Sequence, residues 1–133
     1  MNSLPPLRQP CPPGACDCGR ERLDQCPVAA RRILLLTRQE EKRLLERLEN
    51  LQDLDDLKRL QLKLYEQLGI RVHILPSFNE VRTMRGIHIE LEHQAGLCRK
   101  TRQAIPAAIR RGLERNPDVA YRLLDAHDLL GGS

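Results

Sequence analysis

Apolar positions along the chain follow two different periods. Leu44, Leu45, Leu48 and Leu51 recur at helical spacing, and after a short polar break Leu54, Leu57, Leu60, Leu64 and Leu68 do the same. Thr37-Arg38-Gln39-Glu40 ahead of the first stripe is a capping box. The Thr hydroxyl accepts the amide proton three residues on, and Glu40 reaches back. The second stripe opens near Asp53, with Asp55 and Asp56 where the positive end of a helix favours carboxylates. It closes at Gly69, which suits a left-handed cap. The pattern predicts two helices joined by a tight linker, a helical hairpin.

From Ile70 the period drops to two. Ile70, Val72 and Ile74 alternate with Arg71 and His73; Ile87, Ile89 and Leu91 alternate with His88, Glu90 and Glu92. Both runs read as half-buried strands. The stretch between them is too short for a helical crossover, so the strands are expected to pair antiparallel. Val81 and Met84 are candidates to extend the second strand or fill the loop. Helical spacing then returns at Ile105, Ala108, Ile109, Gly112 and Leu113, with Pro106 suited to a first helical position. Asn116-Pro117-Asp118 starts a last helix, whose stripe is Ala120, Leu123, Leu124, His127 and Leu130. The predicted class is α+β, in the order α-α-β-β-α-α.

Residues 1–31 break both periods. They hold six of the nine prolines and four of the five cysteines. Proline fixes the backbone and removes a donor, so neither a helix nor a central strand is expected there. The chain divides into a flexible Pro/Cys-rich arm, 1–31, peripheral to one small domain, 32–133. Ile33 to Leu36 reads as a short buried strand or a lead-in to the first helix.

Composition removes some function classes. Ile33 to Leu36 is the longest aliphatic run, far short of the roughly 20 residues that span a bilayer. The opening MNSLPPLRQPCPPG has no apolar stretch of signal-peptide length. The expectation is a cytoplasmic, bacterial-type protein without membrane contact. Five cysteines, an odd number, then argue against a disulfide framework.

Cys11-x4-Cys16-x-Cys18-x7-Cys26 places four thiols on one short segment. Four thiolates converging on one point make a tetrahedral zinc or iron–sulfur site. The spacing matches neither the Cys-x2-4-Cys pairs of zinc fingers nor the x4, x2 spacing of plant-type clusters. Gly14 and Gly19 would permit the turns, and Arg20 and Arg22 would offset thiolate charge. Redox-active thiols and an inert tail are the rival readings of the same residues.

Cys98 stands apart, beside Arg99 and Lys100 near a helix start, where cations and the dipole would lower its pKa. It is the reserve fifth metal ligand, or the nucleophile of a thiol enzyme or redox sensor, or a small buried hydrophobe. Net charge is only +4, but residues 99–115 gather Arg99, Lys100, Arg102, Arg110, Arg111 and Arg115 against Glu114 alone. This is a candidate docking face for an acidic protein partner or for nucleic acid. The last helix carries Asp118, Asp125 and Asp128 against Arg122, which would repel phosphate, and no aromatics stand by for stacking. His73 and His88 lie on the polar sides of the strands. The reading leans to an accessory or regulatory protein over an enzyme, with a zinc or iron–sulfur arm of Cys11, Cys16, Cys18 and Cys26, backed by Cys98. A nucleic-acid-binding regulator and a thiol enzyme on Cys98 are the alternatives.

Overall fold

A computed structural model describes residues 7–9, 11, 16, 18–76 and 87–131. Its elements run in the predicted order: α1 (Arg38–Glu49), α2 (Leu54–Leu68), β1 (Val72–Pro76), β2 (Ile87–Leu91), α3 (Arg99–Arg115) and α4 (Pro117–Gly131). Val81 and Met84 lie outside the described residues, as do Gly14 and the side chains of His127 and Leu130. Thr37 caps α1 through its hydroxyl, which accepts from the Glu40 amide at 3.3 Å. Asp53 caps α2, accepting from Asp56 N at 2.7 Å, and Gly69 ends that helix at φ 75°.

β1 and β2 pair antiparallel, with Val72 opposite Leu91, Ile74 opposite Ile89 and Pro76 opposite Ile87. This register puts Val72, Ile74, Ile87, Ile89 and Leu91 on one face and leaves Leu75 exposed on the other, and a slip of one residue would turn the apolar face to water. Side chains tie down both outer edges of the ribbon. Gln61 Nε2 donates to Val72 O at 3.0 Å, and Arg110 Nη2 donates to Ile87 O at 2.9 Å. A two-stranded ribbon is not stable alone; here it borrows its core from α2 and α3.

The core joins all elements: Leu48 from α1, Leu57, Leu60 and Leu64 from α2, Ile87 from β2, Ile105, Ile109 and Leu113 from α3, and Val119 and Leu124 from α4. Each such side chain is worth about 1.5–3 kcal/mol when fully removed from water. α1 packs chiefly along α3, where Gly112 lets the backbones meet. A Cβ at Gly112 would stand 2.3 Å from Leu48 O. Asn116 Nδ2 donates to Leu51 O and Gln52 O, binding the α3–α4 turn to the α1–α2 linker.

Three sequence expectations need correction. α3 does not begin at Pro106 but at Arg99, and Pro106 lies inside it. Leu97 and Thr101 are 1% and 6% exposed, so the apolar stripe extends upstream of Ile105 and burial outweighs the roughly 3 kcal/mol a proline costs there. Residues 20–31 are neither irregular nor peripheral. They form two 3-10 segments, Arg20–Gln25 and Val28–Leu35. The first contains no proline, and Pro27 immediately precedes the second, where a missing amide proton costs nothing. Leu23 and Ile33 from these segments are 2% and 0% exposed and belong to the core. Asp56, read as a helix-start acid, is 2% exposed. It accepts from Arg47 and from Gln52 N, and the Arg47 guanidinium holds its carboxyl below the usual range against the opposing effect of burial.

Candidate metal centre

The chain reaches the centre twice. On the first pass, Arg8 N donates to Leu34 O at 2.7 Å and Arg20 Nη1 donates to Arg8 O, which fastens the segment carrying Cys11, Cys16 and Cys18 alongside the 3-10 helices. Gly19, at φ 71°, turns the chain directly after Cys18. The second pass is the loop between β2 and α3. Gly96 N donates to Cys18 O at 2.8 Å, Leu97 is buried, and Cys98 is the N-cap residue of α3. Cys98 makes no side-chain cap bond; its Sγ lies 3.5 Å from Cys11 Sγ.

The result is a cluster of Cys11, Cys16, Cys18 and Cys98 whose four sulfur atoms all lie within 4.8 Å of one another. Four thiolates about a zinc ion at Zn–S of about 2.3 Å stand about 3.8 Å apart, so the set needs only small adjustments to close on one ion. A polynuclear cluster occupies the space between its ligands and holds their sulfurs further apart. Cys26, expected as an arm ligand, lies outside the group. It is the C-cap residue of the first 3-10 segment, and its amide donates to Leu23 O at 3.2 Å.

The electrostatics differ among the four thiols. Cys16 is lowered to about 7. Burial opposes this, but hydrogen bonds from Cys98, from the amides of Cys18 and Arg99, and from Cys11 outweigh it. Cys98 is raised, first by burial and then by its bonds with Cys11 and Cys16, against the pull of the Arg8 charge. The expectation of a depressed pKa at Cys98 from Arg99 and Lys100 is therefore corrected: burial decides it. Cys11 is also raised, because burial, Cys16 and the neighbouring thiolates together exceed the lowering bond from Cys98. The set thus begins with one thiol poised to ionise, Cys16, and two, Cys11 and Cys98, that a cation would have to deprotonate.

No family model matches the chain, and neither does any curated protein or solved structure. The site must therefore be judged on its own geometry. Four protein sulfurs would fill a tetrahedral ion and leave no position for water or substrate, which is the character of a structural site.

The six cations of 99–115 do not form one free face. Arg99 and Lys100 are exposed beside the cysteines. Arg102 Nη1 lies 3.5 Å from His93 Nδ1. Arg110 is bound to the β2 edge, and Glu49 holds Arg111 by a hydrogen bond and Arg115 at 4.0 Å. A helical stripe read from one element cannot show that α1 stands beside α3 with Glu49 against Arg111 and Arg115. His73 and His88 are not across from one another; each is 2.8 Å from a glutamate, Glu92 and Glu90 respectively. Arg8 is the site residue the sequence reading passed over. Its one signal is that it is the only charged side chain ahead of Cys11. Among the described residues no helix is long and apolar enough to cross a membrane.

Proposed function

We propose that the chain is an accessory protein whose N-terminal segment is clasped to its helical domain by one zinc ion held by Cys11, Cys16, Cys18 and Cys98. The observation that carries this is the convergence of four sulfur atoms, three from the segment and one from the start of α3, within 4.8 Å. Nothing in the connectivity forces Cys98 to meet residues some eighty positions earlier, and chance neighbours do not explain four sulfurs all within 4.8 Å of one another. The compactness of the set favours a single ion over an iron–sulfur cluster. Its closure favours a structural role over catalysis. Exposed Arg99 and Lys100 stand next to the clasp and suit an acidic protein partner. Nucleic acid is the weaker reading, because Arg110, Arg111 and Arg115 are engaged within the fold.

Anaerobic purification with elemental analysis and an absorption spectrum tests the proposal. One zinc per chain is expected, lost in Cys16→Ser, Cys18→Ser and Cys98→Ser and retained in Cys26→Ser. A visible spectrum of sulfide-bridged iron would replace zinc by a cluster, and no metal above trace would refute the clasp. A thiol-redox reading has one observation in its favour, the Cys16 thiol at about 7. It requires rapid alkylation of Cys16 in protein as purified, which a metal-bound thiolate would resist.

A further inference from the structure

A zinc ion with four thiolates carries a net charge of −2. An anion in partly buried surroundings is costly unless donors and cations face it, and the groups behind metal ligands commonly supply them. Two backbone amides serve Cys16, those of Cys18 and Arg99. They bring partial charges only.

Arg8 brings a whole one. Its Nε and Nη2 are both buried and, among the described residues, neither has a hydrogen-bond partner. A guanidinium cannot shed its proton to escape such a position, so two orphaned donors in a protein interior require an acceptor. The neighbourhood says which. Arg8 lies three residues before Cys11, its backbone is fixed at both N and O, and its charge bears on the Cys98 thiol. Sulfur atoms held as thiolates around a metal are strong acceptors. The other cations nearby are otherwise placed: Arg20 is committed to Arg8 O, while Arg99 and Lys100 face solvent.

We infer that Arg8 is the counter-cation of the zinc centre, donating through Nε and Nη2 to the metal-bound thiolates. The inference rests on the zinc reading and adds what regulates that site. Arg8 acts through the ligands rather than on the ion, so it is a positioning residue that raises metal affinity and shields the thiolates from electrophiles.

The test uses the full chain as wild type, Arg8→Gln and Arg8→Lys. Zinc affinity is measured by chelator competition, and cobalt(II) serves as the spectroscopic probe. Removing such a supporting group costs roughly 10–100-fold in metal affinity, and Arg8→Gln is expected to lose that much. Its thiolate-to-cobalt charge-transfer band should move, and the bound thiolates should alkylate faster. Arg8→Lys, which keeps the charge, should recover part of each effect. The metal-free melts of both variants should match wild type, because among the described residues Nε and Nη2 of the guanidinium have no hydrogen-bond partner to lose. If wild type binds cobalt as a tetrathiolate and Arg8→Gln matches it in affinity and band position, the role of Arg8 is overturned while the clasp stands. If wild type binds neither metal, the clasp fails and the inference with it. Should Arg8→Gln lower the metal-free melt as much as the affinity, Arg8 is a structural residue and the inference is likewise overturned.

Discussion

Gly96 joins the core to the cysteine cluster, and replacing it with alanine tests that coupling. Its φ of 85° is one an L side chain rarely adopts. A Cβ there would stand 2.7 Å from Ile33 Cγ2 and 3.0 Å from Leu23 Cδ1. Both neighbours are core residues at 0% and 2% exposure, with no open space to retreat into. Left-handed backbone costs a non-glycine residue about 1–2 kcal/mol, and overpacking a filled core costs about 1–3 kcal/mol. Alanine recovers about 0.4–1 kcal/mol by restricting the unfolded chain. The net expectation for Gly96→Ala is therefore about 2–4 kcal/mol of destabilisation, or a loss of about 8–15 °C in Tm for a chain of this size. The measurement is urea unfolding in chelator, so that metal does not mask the core. Zinc affinity should fall as well, because relief of the clash moves Gly96 away from Cys18 O, its partner at 2.8 Å, and shifts Cys98 two residues on. A metal-free midpoint equal to wild type would refute the packing argument. A lowered midpoint with unchanged zinc affinity would refute the coupling.

Gly112→Ala should also destabilise, by about 1–3 kcal/mol, although alanine in an open helix interior would gain about 1 kcal/mol; the obstacle is Leu48 O, a backbone atom, at 2.3 Å, and a melt at or above wild type would show that α1 and α3 can separate freely. Asp56→Asn should cost about 1–2 kcal/mol at pH 7 by removing a charged hydrogen bond. The Asp56 carboxyl is lowered in the folded state, chiefly by Arg47, so its contribution is present above the ordinary carboxylate pKa of about 4 and disappears as pH falls through the folded value; the deficit of the variant should shrink with it, and a gap that stays constant as pH falls below about 4 would place the effect elsewhere. Chelation should expose the chain around Arg8 and Arg20 to trypsin while Leu23 and Ile33 hold the rest, seen as clipping ahead of residue 23 with little change in circular dichroism; a global loss of structure would mean that zinc holds the whole fold.

The regular elements were legible because their signals are local. Thr37 and Glu40, Asp53 and Asp56, Gly69, and the alternation at 70–74 and 87–91 each speak for the few residues around them, and the structure has helices and strands there. The extent of α3 was not legible from Ile105 onward because proline was given a local meaning, whereas Leu97 and Thr101 are buried by neighbours distant in sequence. Asp56 misled for the same reason. At the start of a helix an exposed carboxylate and a buried one read alike until Arg47 of the preceding helix is placed beside it.

The cysteines show where local reading stops. Spacing along one segment suggested that Cys26 would join Cys11, Cys16 and Cys18, since a flexible tail can close upon itself. Once residues 20–25 coil into a 3-10 helix and Leu23 is drawn into the core, the chain beyond Cys18 is committed to the domain and Cys26 travels with it. The same commitment, through Gly96 and Cys18 O, delivers the start of α3 to the remaining three sulfurs. The fourth member of the cysteine cluster is thus chosen by the packing of two leucine- and isoleucine-bearing turns rather than by the interval between cysteines. A ligand supplied from the far side of the chain makes the centre a report on tertiary structure, because any change that loosens Leu23, Ile33 or Gly96 also separates Cys98 from its partners. Metal retention and core stability should therefore fall together at these positions, and at Cys26 neither should change.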